Sequence, residues 1–316
     1  MNAMIPASGQ RVESSSEMTS FLEMGKLTGR VGFPNPSLER AIAGRQRIIV
    51  YTKSDLGTDS RTARESLKRI YGDNAIFWDK HNSSTTYKLL KKLKESARAV
   101  DSLVGLRALV VGMPNVGKST LLNSLRNVGI SGKLAKAAKT GDQAGVTRKL
   151  GTAVKIFPSE EKGGVGGGVF LLDSPGIFQP YVHDGETMIK VALAHGIKKG
   201  LINDEILADY LLYSMNRWDP TLYKRYCGPT NDVHELLTAV AKRDGKLSPG
   251  GTPNLQEAAA RVLSQWRDGK LGRFVLDDLS EHSILTHQAS IEQPQQSMSQ
   301  ARKMQKLGKK ELKETN

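Results

Sequence analysis

An apolar run, Leu109-Val110-Val111, leads into Gly112-Met113-Pro114-Asn115-Val116-Gly117-Lys118-Ser119 and then Thr120-Leu121-Leu122-Asn123. These residues fit G-x-x-x-x-G-K-[ST], a pattern that requires a strand before it and a helix after it. The two glycines let the backbone turn tightly enough for several N–H groups to converge, and the helix amino terminus adds partial positive charge at the same point. A phosphate group is the expected occupant. Lys118 would neutralise the β and γ oxygens and Ser119 would ligate Mg²⁺, with Val116, Gly117 and Thr120 completing the cradle.

The surrounding pattern is that of an α/β chain. Short apolar or β-branched runs at 48–51, 75–78, 106–111, 153–157 and 169–172 alternate with amphipathic stretches at 60–71, 85–100 and 119–127. That alternation predicts a mostly parallel sheet with helical crossovers. From Thr187 onward only helical spacing remains, in Ile189, Leu193 and Ile197, then Ile206, Leu207, Tyr210 and Leu211. Two more helices are expected at 233–243 and 254–268, separated by a loop at 248–253. The predicted organisation is therefore a disordered segment at 1–30, a nucleotide domain at 31–185, a helical domain at 186–280 and a basic, disordered tail at 281–316. The glycine-rich patch at 163–168 is expected to be a flexible excursion between two strands.

Composition removes several classes. No apolar run approaches the roughly 20 residues that cross a bilayer. The single cysteine, Cys227, can build neither an intrachain disulfide nor a thiolate zinc site. Glu13, Glu17 and Glu23 among the first 30 residues are wrong for an acid-poor transit peptide. The net charge of +14 favours partners rich in phosphate. Six Lys and Arg against two Glu in the last sixteen residues make the tail either a solvated end or an arm for RNA phosphates.

Three further segments carry chemistry. Val169-Phe170-Leu171-Leu172 runs into Asp173-Ser174-Pro175-Gly176, 55 residues beyond Lys118. Asp173 there can hold Mg²⁺ through water while the Gly176 N–H meets a γ-phosphate. Thr147, in Gly145-Val146-Thr147, offers a hydroxyl that closes over Mg²⁺ when triphosphate is bound. Thr52-Lys53-Ser54-Asp55 follows the 48–51 strand. A carboxylate at Asp55 can accept both the N1–H and the N2–H₂ of guanine, a pair that adenine does not present, and the Lys53 stem can lie along the purine face. The second base-contacting loop is expected in 79–84, with Asn82 or Ser83 as candidates.

Together these residues resemble the TRAFAC-class GTPases, in which N-K-x-D selects guanine. Asp55 precedes Gly112 by 57 residues, an order similar to the circularly permuted GTPases and, within them, to the RbgA/YlqF ribosome-assembly GTPases and their mitochondrial relatives. Ala192-Leu193-Ala194-His195-Gly196-Ile197-Lys198, Ala208-Asp209-Tyr210-Leu211-Leu212 and Leu271-Gly272-Arg273-Phe274-Val275-Leu276-Asp277 resemble their helical carboxyl-terminal domain. The resemblance spans residues 30 to 280. It implies a P-loop GTPase-type, circularly permuted α/β fold, followed by a helical domain. It further implies GTP or GDP with Mg²⁺ and K⁺ as cofactors, and a large ribosomal subunit precursor and its rRNA as partners. A mitochondrial matrix location, at most peripheral to the inner membrane, and a monomer are expected.

Three departures stand out. Thr52 replaces the usual Asn, so the tie between base loop and phosphate loop is expected to be weaker. The family's opening F-P-G-H-M segment and its strand ending in D-A-R are not visible, which leads to the expectation of an incomplete amino terminus from a truncated or mis-spliced reading frame. Ile177 follows Gly176 where better-known GTPases place a water-orienting Gln, as is usual in this family. Asn115 is then the residue type that holds K⁺ in related GTPases and, with Lys118 and Gly176, is expected to serve catalysis. His183 is a secondary candidate for orienting water. The function implied is slow GTP hydrolysis that accelerates on the ribosome. Two alternatives are an RNA-binding assembly factor with an impaired nucleotide pocket and a P-loop ATPase.

Overall fold

The computed structural model describes residues 20–26, 42, 44–57, 61–100, 102, 104–130, 151–176, 185–278, 280–292 and 303. The first part alternates strands and helices: β1 (Ser20–Lys26), β2 (Gln46–Thr52), α1 (Arg61–Tyr71), β3 (Ala75–Phe77), α2 (Ser83–Val100), β4 (Leu106–Gly112), α3 (Lys118–Gly129), β5 (Val154–Phe157) and β6 (Val169–Asp173). The strands form one sheet in the order β3-β2-β1-β4-β6-β5. All pairings are parallel except that of β5 with β6.

Covering both faces of the sheet explains why its strands read as unbroken apolar runs. Along β2 successive side chains face opposite ways. Ile48 and Val50 join Leu89, Leu90 and Leu93 of α2 and Leu121, Leu122 and Leu125 of α3. Ile49 and Tyr51 face the other side, where Ala63 and Leu67 of α1 cover them together with Val275.

The amino-terminal expectation needs correction. Residues 20–26 are a central strand of the sheet, with Leu22 paired to Ile48 on one side and to Val110 on the other. The segment 1–30, expected to be disordered, therefore contains a strand, which ends in Met24-Gly25-Lys26. Ser20-Phe21-Leu22-Glu23-Met24-Gly25-Lys26 lacks both alternation and β-branched residues, so nothing local marks it. Its conformation is set by the two neighbouring strands, whose backbone groups need a partner between them.

The segment 163–168 is compact. Gly164 N–H donates to Ser159 O at 3.0 Å, Gly168 N–H to Val165 O at 2.8 Å, and Val165 is buried in the sheet core. A Cβ at Gly164 would lie 1.8 Å from Pro158 O, so the close backbone approach requires glycine here.

The second part is helical: α4 (Gly185–Leu193), α5 (Asp204–Trp218), α6 (Val233–Arg243), α7 (Leu255–Arg267) and α8 (Glu281–Glu292). Asn203, Asp232 and Asn254 cap α5, α6 and α7 by accepting first-turn N–H groups. Leu211, Met215, Tyr223, Leu237, Trp266 and Phe274 form a separate core. Residues 281–292 are helix α8, where a disordered tail was expected. Residues from 293 onward, apart from Lys303, lie outside the described residues.

Candidate nucleotide-binding site

The loop between β4 and α3 adopts the strained backbone that the glycine pattern predicts. Gly117 has φ 97° and Asn115 φ 58°. A Cβ added at Gly117 would meet nothing within 4 Å, so it is the positive φ, not crowding, that favours glycine there. Lys118 is 7% exposed. Its ammonium donates to Gly112 O at 3.0 Å and Met113 O at 2.8 Å, arching back over the loop. Burial lowers its pKa to about 8, with the Asp173 charge opposing the shift.

At the start of α3, Ser119 Oγ donates to Asp173 Oδ2 at 2.6 Å, joining residues 54 positions apart. Asp173 Oδ1 is buried with no hydrogen-bond partner among the described residues. Burial raises the Asp173 pKa, while the Ser119 hydrogen bond and the Lys118 charge hold it down. A hydroxyl and a carboxylate that meet beside a buried unpaired oxygen fit a hard divalent cation. Ser174 Oγ donates to Val110 O at 2.7 Å and so fastens this strand end to the phosphate loop's strand. A Cβ at Gly176 would lie 2.4 Å from Pro114 Cγ and 2.8 Å from Pro114 Cα, so Gly176 packs directly on the phosphate loop.

The base loop meets the phosphate loop through Thr52. Its hydroxyl, fully buried, donates to Val116 O at 2.5 Å across 64 residues of chain. The hydroxyl thus makes the link between the two loops directly. Lys53 is exposed at φ 51°, and Asp55 is half-buried in the 3₁₀ turn Ser54–Gly57.

Arg64 of α1 escaped the sequence reading. Its guanidinium donates to Ser54 O and lies 5.5 Å from the Phe77 ring centroid. Burial lowers its pKa, and the Asp55 charge opposes that shift. No local signal marks an arginine in an amphipathic helix as a support for the base loop.

The loop after β3 lies alongside, with Ser54 N–H donating to Trp78 O at 3.1 Å. Asn82 Oδ1 accepts from Ser84 N at 3.0 Å and Ser84 Oγ at 2.7 Å, so Asn82 caps α2, and Ser83 is exposed at the helix start.

Asn115 makes a contact that sequence did not suggest. Its Nδ2 donates to His195 O at 2.9 Å, 80 residues away, just beyond α4. His195 is itself at φ 59°, and Arg267 of α7 holds the preceding turn by donating to Leu193 O at 2.8 Å. The helical domain therefore touches the phosphate loop. Thr147, Ile177 and His183 lie outside the described residues.

Known proteins are similar to this chain. Mitochondrial GTPase 1 of Schizosaccharomyces japonicus is 35% identical over 271 residues, 78% of this chain and 80% of the relative. Its Schizosaccharomyces pombe counterpart is also 35% identical, over 79% of this chain and 80% of its own length. The chain belongs to the Mitochondrial GTPase 1 family of circularly permuted GTPases. The family model described as a 50S ribosome-binding GTPase matches residues 107–240. Ribosome biogenesis GTPase A of Priestia megaterium is 31% identical over 78% of this chain and 84% of its own. The crystal structure of GNP-bound YlqF from T. maritima shares the fold with a TM-score of 0.57 at 20% identity, covering 84% of this chain and 95% of that one. This family fold is the reason the base loop precedes the phosphate loop in sequence yet lies against it in space.

Proposed function

We propose that this protein binds and hydrolyses GTP as an assembly factor of the large mitochondrial ribosomal subunit, acting as a monomer in the matrix. The observation that carries the reading is the Thr52 to Val116 hydrogen bond, which joins the loop bearing Asp55 to the loop bearing Lys118. Two such loops in contact can hold one guanine nucleotide by its two ends. The names of the relatives, Mitochondrial ribosome-associated GTPase 1 in Xenopus tropicalis among them, support the ribosome and the mitochondrion as partner and location.

Asp55 selects guanine by accepting its N1–H and N2–H₂, and Arg64 keeps the base loop in place. Lys118 offsets phosphate charge, and Gly176, held against Pro114, can present its N–H to the γ-phosphate. Ser119 and Asp173 would hold Mg²⁺, with Thr147 as a third ligand. Bound there, Mg²⁺ supplies positive charge at the β and γ oxygens. Asn115 would hold K⁺. Its amide nitrogen is committed to His195 O, which turns its oxygen the other way.

The test is phosphate release from GTP by the full chain, with and without large ribosomal subunits, in K⁺ and in Na⁺ buffers. Release should rise with subunits present and be greater in K⁺. GTP binding with no subunit-stimulated release would instead favour the non-catalytic assembly factor.

A further inference from the structure

We propose that the outer face of α2 is an RNA-docking surface, where phosphates lie along a row of basic side chains and an unstacked base rests on Tyr87. This assignment rests on the ribosome reading above and names the surface that would make the contact.

The helix is two-faced. Thr86, Leu89, Leu90, Leu93 and Ala97 are buried against the sheet. Ser84, Tyr87, Lys88, Lys91, Glu95 and Arg98 are exposed, and their spacing of three and four residues puts them on one stripe. Lys88, Lys91, Lys92, Lys94 and Arg98 face a single acid, Glu95, along the helix. Lys88, Lys91 and Arg98 are in no ion pair among the described residues. The stripe from Lys88 to Arg98 is about 15 Å long, enough to follow several consecutive phosphates.

Tyr87 distinguishes this stripe from an ordinary solvated helix face. The residue is 61% exposed and stands at the amino-terminal end of the row formed by Lys88, Lys91 and Arg98. An aromatic platform next to a basic row is the arrangement by which proteins hold single-stranded nucleic acid, each base offering a π-face to stack. A membrane fits less well, because an interfacial helix inserts its apolar side and the apolar side of α2 is packed in the protein core. The position also matters, since α2 begins at Ser83 and is capped by Asn82, in the candidate second base loop.

The experiment uses the full chain with a fluorescein-labelled single-stranded RNA oligonucleotide, purified large subunits, and vesicles of phosphatidylcholine with cardiolipin. The variants are Tyr87→Ala, the triple charge reversal Lys88→Glu, Lys91→Glu, Arg98→Glu, and a control Lys242→Glu, Arg243→Glu on α6. The triple variant should weaken RNA binding at low salt by about tenfold or more and reduce the slope of log affinity against log salt by about 2. Tyr87→Ala should weaken binding by about 5-fold to 150-fold and leave the slope unchanged. Basal GTP hydrolysis should be unaltered in both, which also reports correct folding. RNA binding that survives the triple variant, or is lost only in the α6 control, overturns the proposal. So does binding of the wild-type chain to the vesicles but not to RNA. Stimulation by large subunits separates the two readings. RNA binding that depends on α2, without any stimulation, removes the assembly function and leaves this surface. Stimulation and RNA binding both untouched by the α2 variants remove this surface alone.

Discussion

Replacing Thr52 by Val keeps the shape of a fully buried side chain and deletes the hydroxyl that reaches Val116 O. The Val116 carbonyl then loses its Thr52 donor in a place water does not reach. An unsatisfied buried acceptor of this kind costs about 1–3 kcal/mol, more than the mean value of a neutral hydrogen bond, because the desolvation is uncompensated. Thr52, fully buried, joins the base loop to the phosphate loop and so sets the spacing between them. The loss should therefore appear in affinity for GDP and GTP, as a decrease of about 5-fold to 150-fold when the full amount falls on binding. Whatever part does not appear in binding should appear as lower stability to urea. The guanine-over-adenine ratio should hold, since Asp55 is untouched. Fluorescence titration with a labelled guanine nucleotide and a urea melt measure the two shares, and Thr52→Ser should restore most of both. Unchanged affinity and unchanged stability in Thr52→Val would refute the idea that this bond joins the two loops.

Asp55→Ala should abolish the preference for guanine over adenine nucleotides in competition binding, whereas a P-loop ATPase would keep its preference. Burial holds Lys118 near 8, and bound phosphates raise that value again, so the chain takes up a proton on binding above about pH 8. GDP affinity should consequently fall as pH rises past 8, and calorimetry in buffers of different ionisation heat should detect the uptake. The lysine is lowered from 10.5, so between about pH 8 and 10.5 the unfolded chain binds more protons there. Its contribution to stability therefore rises with pH across that window. Gly176→Ala must push a Cβ against Pro114. It should slow GTP hydrolysis at least about tenfold while GDP, which lacks the γ-phosphate, binds nearly as before.

The legible parts of the site were those encoded within a few residues. The turn at Gly112 to Ser119, the carboxylate at Asp173 and the base-loop tetrad at Thr52 to Asp55 each depend on local backbone geometry at one strand end. Most helices were readable for a similar reason, because a buried stripe repeats every three or four residues. Strand β1 was not, since its partners on both sides, not its own residues, make it a strand.

The amino-acid sequence by itself determined which chemistry each loop can perform and that the chain is α/β followed by helices. Tertiary structure alone decided how those loops meet. Thr52 with Val116, Ser119 with Asp173 and Asn115 with His195 are separated by 64, 54 and 80 residues. Which of them touch depends on sheet order and register, quantities set by the packing of the whole core. The same packing placed Arg64 behind the base loop and turned an exposed, basic face of α2 outward.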